Sequence, residues 1–416
     1  MNFPKMCRIR QHFDNTRLDD IQKSVLSELR QLSWDQIRPG NSVAITAGSR
    51  GIANLAEILK VVAEFLKSFE ARPFIFPAMG SHGGATAEGQ VDVLKRLGVT
   101  ESAVQAPILS SMEVQEIGTT RDQVPVFVDK NALAADYIVV ANRIKSHTKF
   151  KASIESGLMK MMSIGMGKQA GAQLYHQAAL THTFPRIITD AARLVLAGTS
   201  VLCGVAIVEN AYGRTAEIAV LKPDEIEGRE KALLQRSKKM MAKLPFNEID
   251  LLIVDEMGKD ISGVGMDPNV TGRNRDLLGV FPHSVRVKQL FVRDLTAKSK
   301  GNATGIGLAD ITTRRLVDKI DYAATYKNCI TGISLEKAAV PMHFETDRQA
   351  VETALSCIGR ISPQESKIVR IKNTQQLETV EVSEAYEGEL GQRSDLEIIN
   401  GPFAFKFDSE NNLLPL

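Results

Sequence analysis

Two glycine-flanked loops of this sequence carry side chains that can bind an anion or exchange a proton. Arg50 lies in the turn 48–51, and His82 lies between glycines in the segment 80–84. Glycine lets the backbone approach a ligand closely, so a histidine placed there can reach a substrate. Imidazole titrates near neutrality, which makes His82 a candidate general acid or base. The alternative is a turn with an incidental histidine.

A third candidate, His147, lies in a strongly basic segment. The segment 143–151 contains four cations besides this histidine. It directly follows an apolar stretch that reads as a buried strand. An anion-binding loop and a solvated charge run are therefore both open interpretations.

Lys160 stands alone in the apolar, glycine-bounded segment 157–165. It is either a lysine whose amine reaches solvent past an apolar stem, or a desolvated amine of lowered pKa that can act as a nucleophile. His176 follows sixteen residues later, and neutral imidazole is a good ligand for transition metals. His182 is six residues further on, a spacing that does not place both on one helical face. The other histidines are interpreted as surface or satisfied core residues: His12, His182, His283 and His343.

A further loop, 257–273, is rich in glycine and follows a predicted strand in the second half of the chain. Lys259, Asn269 and Arg273 are its candidate substrate-binding residues, because cations and amides on a closing loop can hold a carboxylate. The alternative is a long surface loop.

The elements around these residues predict how they are positioned. Each of three short apolar runs precedes one of the candidate loops: 42–46 before Arg50, 73–77 before His82, and 137–141 before His147. Helical spacing over 55–69 and 86–97 alternates with the first two runs. The alternation predicts a mainly parallel sheet, whose carboxyl ends bring the loops to one crevice.

The length of 416 residues predicts two α/β domains with a crevice between them. A new α/β pattern starts at Ile249, so the expected domains are 1–246, bearing the catalytic residues, and 247–401. The tail 402–416 is expected to cross back to the first domain.

Composition excludes several functional classes. A net charge of +2, from 51 basic and 49 acidic residues, gives no electrostatic footprint for nucleic acid or for a membrane surface. No apolar run is long enough to span a bilayer, and the N-terminus lacks the apolar core of a secretory signal. The four scattered cysteines contain no C-x-x-C pair, which disfavours a zinc ribbon. We therefore expect a cytoplasmic protein, with its oligomeric state left open.

The ordered set of Arg50, His82, His147, Lys160 and His176 resembles the nickel-dependent lactate racemase family. The resemblance implies that Lys160 holds a pincer cofactor, pyridinium-3,5-bisthiocarboxylic acid mononucleotide, and that His176 ligates its nickel. It implies that His82 and His147 are the paired acid and base, and that Arg50 binds the substrate carboxylate.

The function implied by this resemblance is that of an isomerase: a racemase or epimerase of a 2-hydroxy acid, lactate-like or larger. Hydride would pass reversibly between C2 and the cofactor, which the synthesis proteins of the host would supply. One alternative is an enzyme of the same fold that uses Lys160 without nickel, as a Schiff-base lysine. Another is a non-catalytic protein that binds a carboxylate, which is favoured by Ala47 standing where the family usually carries an aspartate.

Overall fold

The computed structural model describes residues 1–275 and 285–416, and this part of the chain divides into two compact units. The first unit is Asp14–Met241. The second unit combines Met1–Phe13 with Ala242–Leu416. His283, interpreted above as an incidental histidine, lies outside the described residues.

The fold is mixed α/β, as predicted. The strands are β1 (Met6–Gln11), β2 (Ser42–Ala47), β3 (Arg72–Pro77), β4 (Val114–Thr119), β5 (Pro125–Asp129), β6 (Tyr137–Arg143), β7 (Val201–Glu209), β8 (Thr215–Leu221), β9 (Glu248–Val254), β10 (Arg286–Val292), β11 (Ile311–Thr313), β12 (Met342–Phe344), β13 (Ile368–Ile371), β14 (Thr379–Ser383) and β15 (Leu396–Phe403). The α-helices are α1 (Ile21–Leu29), α2 (Leu55–Lys67), α3 (Ala87–Arg96), α4 (Glu101–Val104), α5 (Lys130–Ala134), α6 (Leu158–Lys160), α7 (Lys168–Ala178), α8 (Phe184–Gly198), α9 (Ile226–Met240), α10 (Pro268–Thr271), α11 (Arg314–Val317), α12 (Tyr322–Thr331), α13 (Asp347–Ser356) and α14 (Glu387–Leu390). No helix among these residues is both long and apolar enough to cross a membrane.

The first unit is built on a sheet with the strand order β3-β2-β6-β7-β8. The first four of these strands run parallel, and β8 pairs antiparallel with β7. The central strands are apolar and almost wholly buried, as expected for parallel strands covered on both faces. Helix α2 contributes Ile58 and Val62 to the same core as Val43 and Ile45 of β2. A separate antiparallel pair, β4-β5, completes the strands of this unit.

The second unit contains a sheet with the order β12-β11-β10-β9-β13-β14-β1-β15. The strands from β12 to β13 are parallel, and the remaining pairs are antiparallel. The sequence placed residues 1–13 in the first domain, whereas β1 lies here. Apolar burial explains the position, because Met6 and Ile9 pack into the cores of this unit.

The C-terminal tail also packs within the second unit. Leu413 is buried with Leu251 and Phe291, and its carbonyl oxygen accepts a hydrogen bond from Arg293 (2.6 Å). The structure thus differs from the expectation that the tail crosses back to the first domain. Burial of an apolar side chain next to the tail's terminus accounts for this.

Candidate functional site

The carboxyl ends of β2, β3 and β6 lie side by side in the first unit, so the three candidate loops start from one edge of the sheet. The Ala141 N–H donates to Thr46 Oγ1 (2.8 Å), which ties the ends of β6 and β2 together. At the end of β7, Glu209 accepts a hydrogen bond from the Ala53 N–H (2.7 Å) and pairs with Arg143. These contacts fix the bases of the loops against one another.

The first two loops meet through Ser49 and His82. Ser49 Oγ contacts His82 Nδ1, and Arg50 is the next residue along the chain. Gly83 has φ +67°, and a Cβ there would lie 2.5 Å from the backbone of Gly89, so only glycine fits this turn. That these glycines let His82 reach a ligand stays a prediction.

His147 is buried in the third loop and held from both sides. Its backbone N–H donates to Glu155 (2.6 Å), and its ring stacks on Phe150 with centroids 4.2 Å apart. Loss of water, followed by the charges of Lys160 and Lys149, holds the pKa of His147 well below its usual range. His147 Nδ1 accepts a hydrogen bond from the Lys149 N–H (3.1 Å), which places the proton of the neutral ring on Nε2.

The basic loop is organised by one buried acid, Glu155, that the sequence analysis did not identify. Its carboxylate accepts hydrogen bonds from the backbone of His147 and Ala152 (3.1 Å) and from Lys238 Nζ of α9 (2.6 Å). It also pairs with Lys151 at 3.8 Å. A single acid inside a strongly basic run was the available signal.

Lys160 ends the short helix α6. Loss of water, with the charges of Arg50, Lys149 and Lys145, lowers the pKa of the Lys160 amine to about 7. Its Nζ lies 3.5 Å from Ser156 Oγ. Arg50 is therefore close enough to act on the amine, and the Lys160 side chain belongs to the same cationic site as the basic loop.

A π-helical turn, Met161–Gly165, follows Lys160 directly. Such turns occur frequently at functional sites. A Cβ at Gly165 would lie 2.8 Å from the carbonyl oxygen of Ala78, so this turn packs closely against the loop after β3. The Gly80 N–H donates a long hydrogen bond (3.4 Å) to the Gly165 carbonyl. The segment bearing Lys160 and the loop bearing His82 are thus in direct contact.

His176 lies on α7, two residues before the end of that helix. Loss of water, then the charges of Lys149 and Lys160, lowers the pKa of His176 to about 3. Its Nδ1 is buried and has no hydrogen-bond partner among the described residues, and its ring centroid lies 5.0 Å from that of Phe184. A buried ring nitrogen with no partner is unusual and requires a reason. A neutral imidazole with such a nitrogen suits a soft divalent metal.

No three histidine, cysteine, aspartate or glutamate side chains within residues 1–275 and 285–416 cluster as a ready metal site. A metal at His176 would therefore take its other donors from a bound group. The residue types present fit such a group, because the buried His176 nitrogen could bind a metal and the Lys160 amine, with a pKa of about 7, could form a covalent link.

The candidate substrate residues of the loop 257–273 belong to the second unit. Their contacts there are Lys259 Nζ with the Gly263 carbonyl (2.7 Å), Asn269 Nδ2 with Asp267 (2.7 Å) and Arg273 Nη2 with Asp310 (2.6 Å). The first two bonds lie within the loop, and the third ties its end to Asp310, just before β11. Substrate binding by the three residues stays a prediction.

Residues 46–222 match a protein-family model described as a domain of unknown function, DUF362. The structure is similar to that of the lactate racemase apoprotein from Thermoanaerobacterium thermosaccharolyticum, with a TM-score of 0.52 and 11% identity over 87% of this chain and 93% of the other. A protein from Thermotoga maritima is also similar, with a TM-score of 0.51 and 12% identity over 86% and 96% of the two chains. No curated protein matches the chain. At these identities the likeness establishes a shared α/β fold.

Proposed function

We propose that the protein is a nickel-pincer-dependent racemase or epimerase of a 2-hydroxy acid. One observation carries the proposal: a lysine amine with a pKa of about 7 and a histidine with a buried, unbonded Nδ1 lie on one segment. The charge of Lys160 contributes to the lowered pKa of His176, after loss of water and the charge of Lys149. The similarity of the fold to that of the lactate racemase apoprotein supports the same proposal.

Lys160 and His176 would hold the cofactor. A covalent link through the lysine nitrogen requires an uncharged amine, and about half of a group with a pKa of about 7 is uncharged at neutral pH. His176 stays neutral down to acidic pH and would offer Nδ1 to nickel. When bound, the cofactor would supply reversible uptake of the hydride from C2.

The substrate carboxylate would bind in the cationic part of the site. Arg50 can hold a carboxylate with two parallel N–H donors. The buried Lys149 adds a second positive charge, whose influence reaches both His147 and Lys160. A site of this sign favours an anionic substrate and disfavours a cationic one.

His82 and His147 would handle the proton of the 2-hydroxyl group. His147 is neutral and carries its proton on Nε2, so that nitrogen can donate to a carbonyl oxygen formed at C2. His82 comes from a different loop, with its Nδ1 against Ser49. Two histidines from different loops would suit a reaction that must serve both stereoisomers.

A second candidate function uses the Lys160 amine directly on a carbonyl substrate, through a Schiff base. The pKa of about 7 is the observation that favours it. Borohydride reduction in the presence of a 2-keto acid would trap the substrate on Lys160 in that case. The racemase would leave Lys160 untrapped.

The deciding experiment is intact mass and nickel analysis of protein co-expressed with pincer-synthesis proteins. We expect a mass increment on the peptide containing Lys160, with stoichiometric nickel. Lys160→Arg should lose both, whereas His176→Ala should keep the increment and lose nickel. An unmodified Lys160 and no nickel, under conditions that load a known racemase, would overturn the proposal.

We place this activity in the cytoplasm, where the synthesis proteins of the host would be its partners. The four cysteines, all among the described residues, form no disulfide. Free thiols suit a reducing compartment.

A further inference from the structure

Lys168 is a fully buried lysine to which the proposed reaction assigns no role. It is the first residue of α7, the helix that carries His176. Its Nζ pairs with the equally buried Asp129 at 3.1 Å and donates to Gln90 Oε1 (3.0 Å) and to the Pro77 carbonyl oxygen. A buried ion pair is costly to form and costlier to break on one side, so this ammonium is firmly held.

The backbone at Lys168 is also unusual. Its φ is +52°, in the left-handed region that residues other than glycine rarely adopt. Strain of this kind persists only where the surroundings enforce it, and it concentrates at functional sites. The Lys168 ammonium is thus held in place although the backbone at this residue is strained.

Gln90, on α3, extends the contacts of Lys168 to the loop of His82. It is fully buried, and its Nε2 donates to the carbonyl oxygens of Gly80 (2.9 Å) and His82 (3.3 Å). Lys168 itself holds Pro77, the last residue of β3. Lys168 therefore anchors the segment 77–82 at both ends: it holds Pro77 directly and His82 through Gln90.

The orientation of the Gln90 amide is determined by its neighbours. Its oxygen faces the Lys168 ammonium, and its nitrogen faces two carbonyl oxygens. A carboxylate at position 90 could still accept from Lys168, but it would present an oxygen to the two carbonyls. An amide satisfies both sides, whereas an ionised carboxylate does not.

We infer that Asp129, Lys168 and Gln90 form a positioning network that holds His82 and links its loop to the His176 helix. None of the three is a catalytic residue in the sense of touching the reacting atoms; they act through the backbone of the His82 loop. The catalytic meaning of the network rests on the proposed function, whereas its effect on the loop does not.

The first test measures the loop without reference to activity. Gln90→Glu keeps the acceptor for Lys168 and removes the donor to the loop, and Glu88→Gln, at an exposed position of the same helix, is the matched control. We expect amide hydrogen exchange across residues 78–85 to be about tenfold faster in Gln90→Glu, with α7 unchanged. Unchanged exchange in this loop, with the variant folded, would overturn the inference.

The second test is a double-mutant cycle with His82→Ala in the cofactor-loaded enzyme. Gln90→Glu should lower kcat by about 10- to 100-fold, with KM much less affected, because a small displacement of a catalytic group slows the reaction step. In the His82→Ala background, Gln90→Glu should not lower kcat any further. An equal loss of kcat in both backgrounds would reject action through His82.

The two tests separate the inference from the proposed function. If wild-type protein does not racemise any 2-hydroxy acid, the proposed function fails, and the hydrogen-exchange result alone decides whether the network positions the loop. Lys168→Met is avoided as the primary variant because it leaves Asp129 buried without its partner.

Discussion

The Lys160 amine is buried near other positive charges, and this arrangement lowers the free energy of unfolding. In the unfolded chain its pKa is near 10.5, and in the folded protein it is about 7. The unfolded state therefore binds more protons between these values, so the penalty is complete below pH 7 and disappears as the pH rises toward 10.5.

We predict that Lys160→Met stabilises the unmodified protein at pH 6 and has little effect near pH 10. The gain at pH 6 should be about 1–2 kcal/mol, a reduced value because solvent reaches part of the side chain. Urea unfolding at the two pH values measures it. A gain of the same size at both would show that packing, and not charge, is responsible.

The two histidines provide a prediction about the reaction itself. His82→Ala and His147→Ala should each lower the rate of racemisation by about 10²- to 10⁴-fold, the range typical of lost acid–base catalysis. Conversion of one pure stereoisomer into the other, followed by chiral chromatography, measures it in protein loaded with nickel. Normal racemisation by either variant would remove that histidine from the mechanism.

At the scale of elements, the helix that presents Lys160 depends on a buried acid. Glu230 of α9 accepts a hydrogen bond from the Met159 N–H (3.0 Å) at the start of α6, and its Oε1 is buried beside Gly157. A Cβ at Gly157 would lie 2.3 Å from that oxygen, so glycine is required where the two elements cross. Loss of water raises the pKa of Glu230 to about 7.

This raised pKa predicts a pH-dependent effect of Glu230→Gln. The folded state binds the proton more tightly than the unfolded state, whose pKa is near 4.5, so wild-type stability declines as the pH rises from 4.5 through 7. Relative to wild type, Glu230→Gln should gain about 1–3 kcal/mol between pH 5 and pH 8. Unfolding curves at both pH values test this, and a difference that does not vary with pH would contradict it.

Sequence patterns predicted those elements whose neighbours are close in the chain. The apolar runs 42–46 and 73–77 became the adjacent parallel strands β2 and β3. The strand β4 was missed because its sequence is polar and half exposed. Glu155 was missed because its role depends on Lys238, a partner 83 residues away.

At the scale of the molecule, the two units differ in whether they are continuous in sequence. The first unit is one continuous stretch, Asp14–Met241, whereas the second also needs Met1–Phe13. Strand β1 lies between β14 and β15 and pairs with both. Without it, β14 would lose a neighbour and β15 would lose the strand that joins it to the sheet.

We therefore predict that a fragment of residues 14–241 folds alone, with its Lys160 segment protected from hydrogen exchange. A fragment of residues 242–416 should show weak protection in β14 and β15 until a peptide of residues 1–13 is added. Hydrogen exchange with and without the peptide measures this. Full protection of β14 and β15 in the fragment alone would show that β1 is dispensable.

The pairing of β1 also sets an order of events on the ribosome. Residues 6–11 are made well before their partners at 379–383 and 396–403. At a synthesis rate of about 5–20 residues per second, the first strand waits about 20–80 seconds for them. Before those partners are made, all residues of the first unit have left the ribosome and can fold, whereas β1 remains an unpaired strand that a chaperone must shield or that must stay solvated.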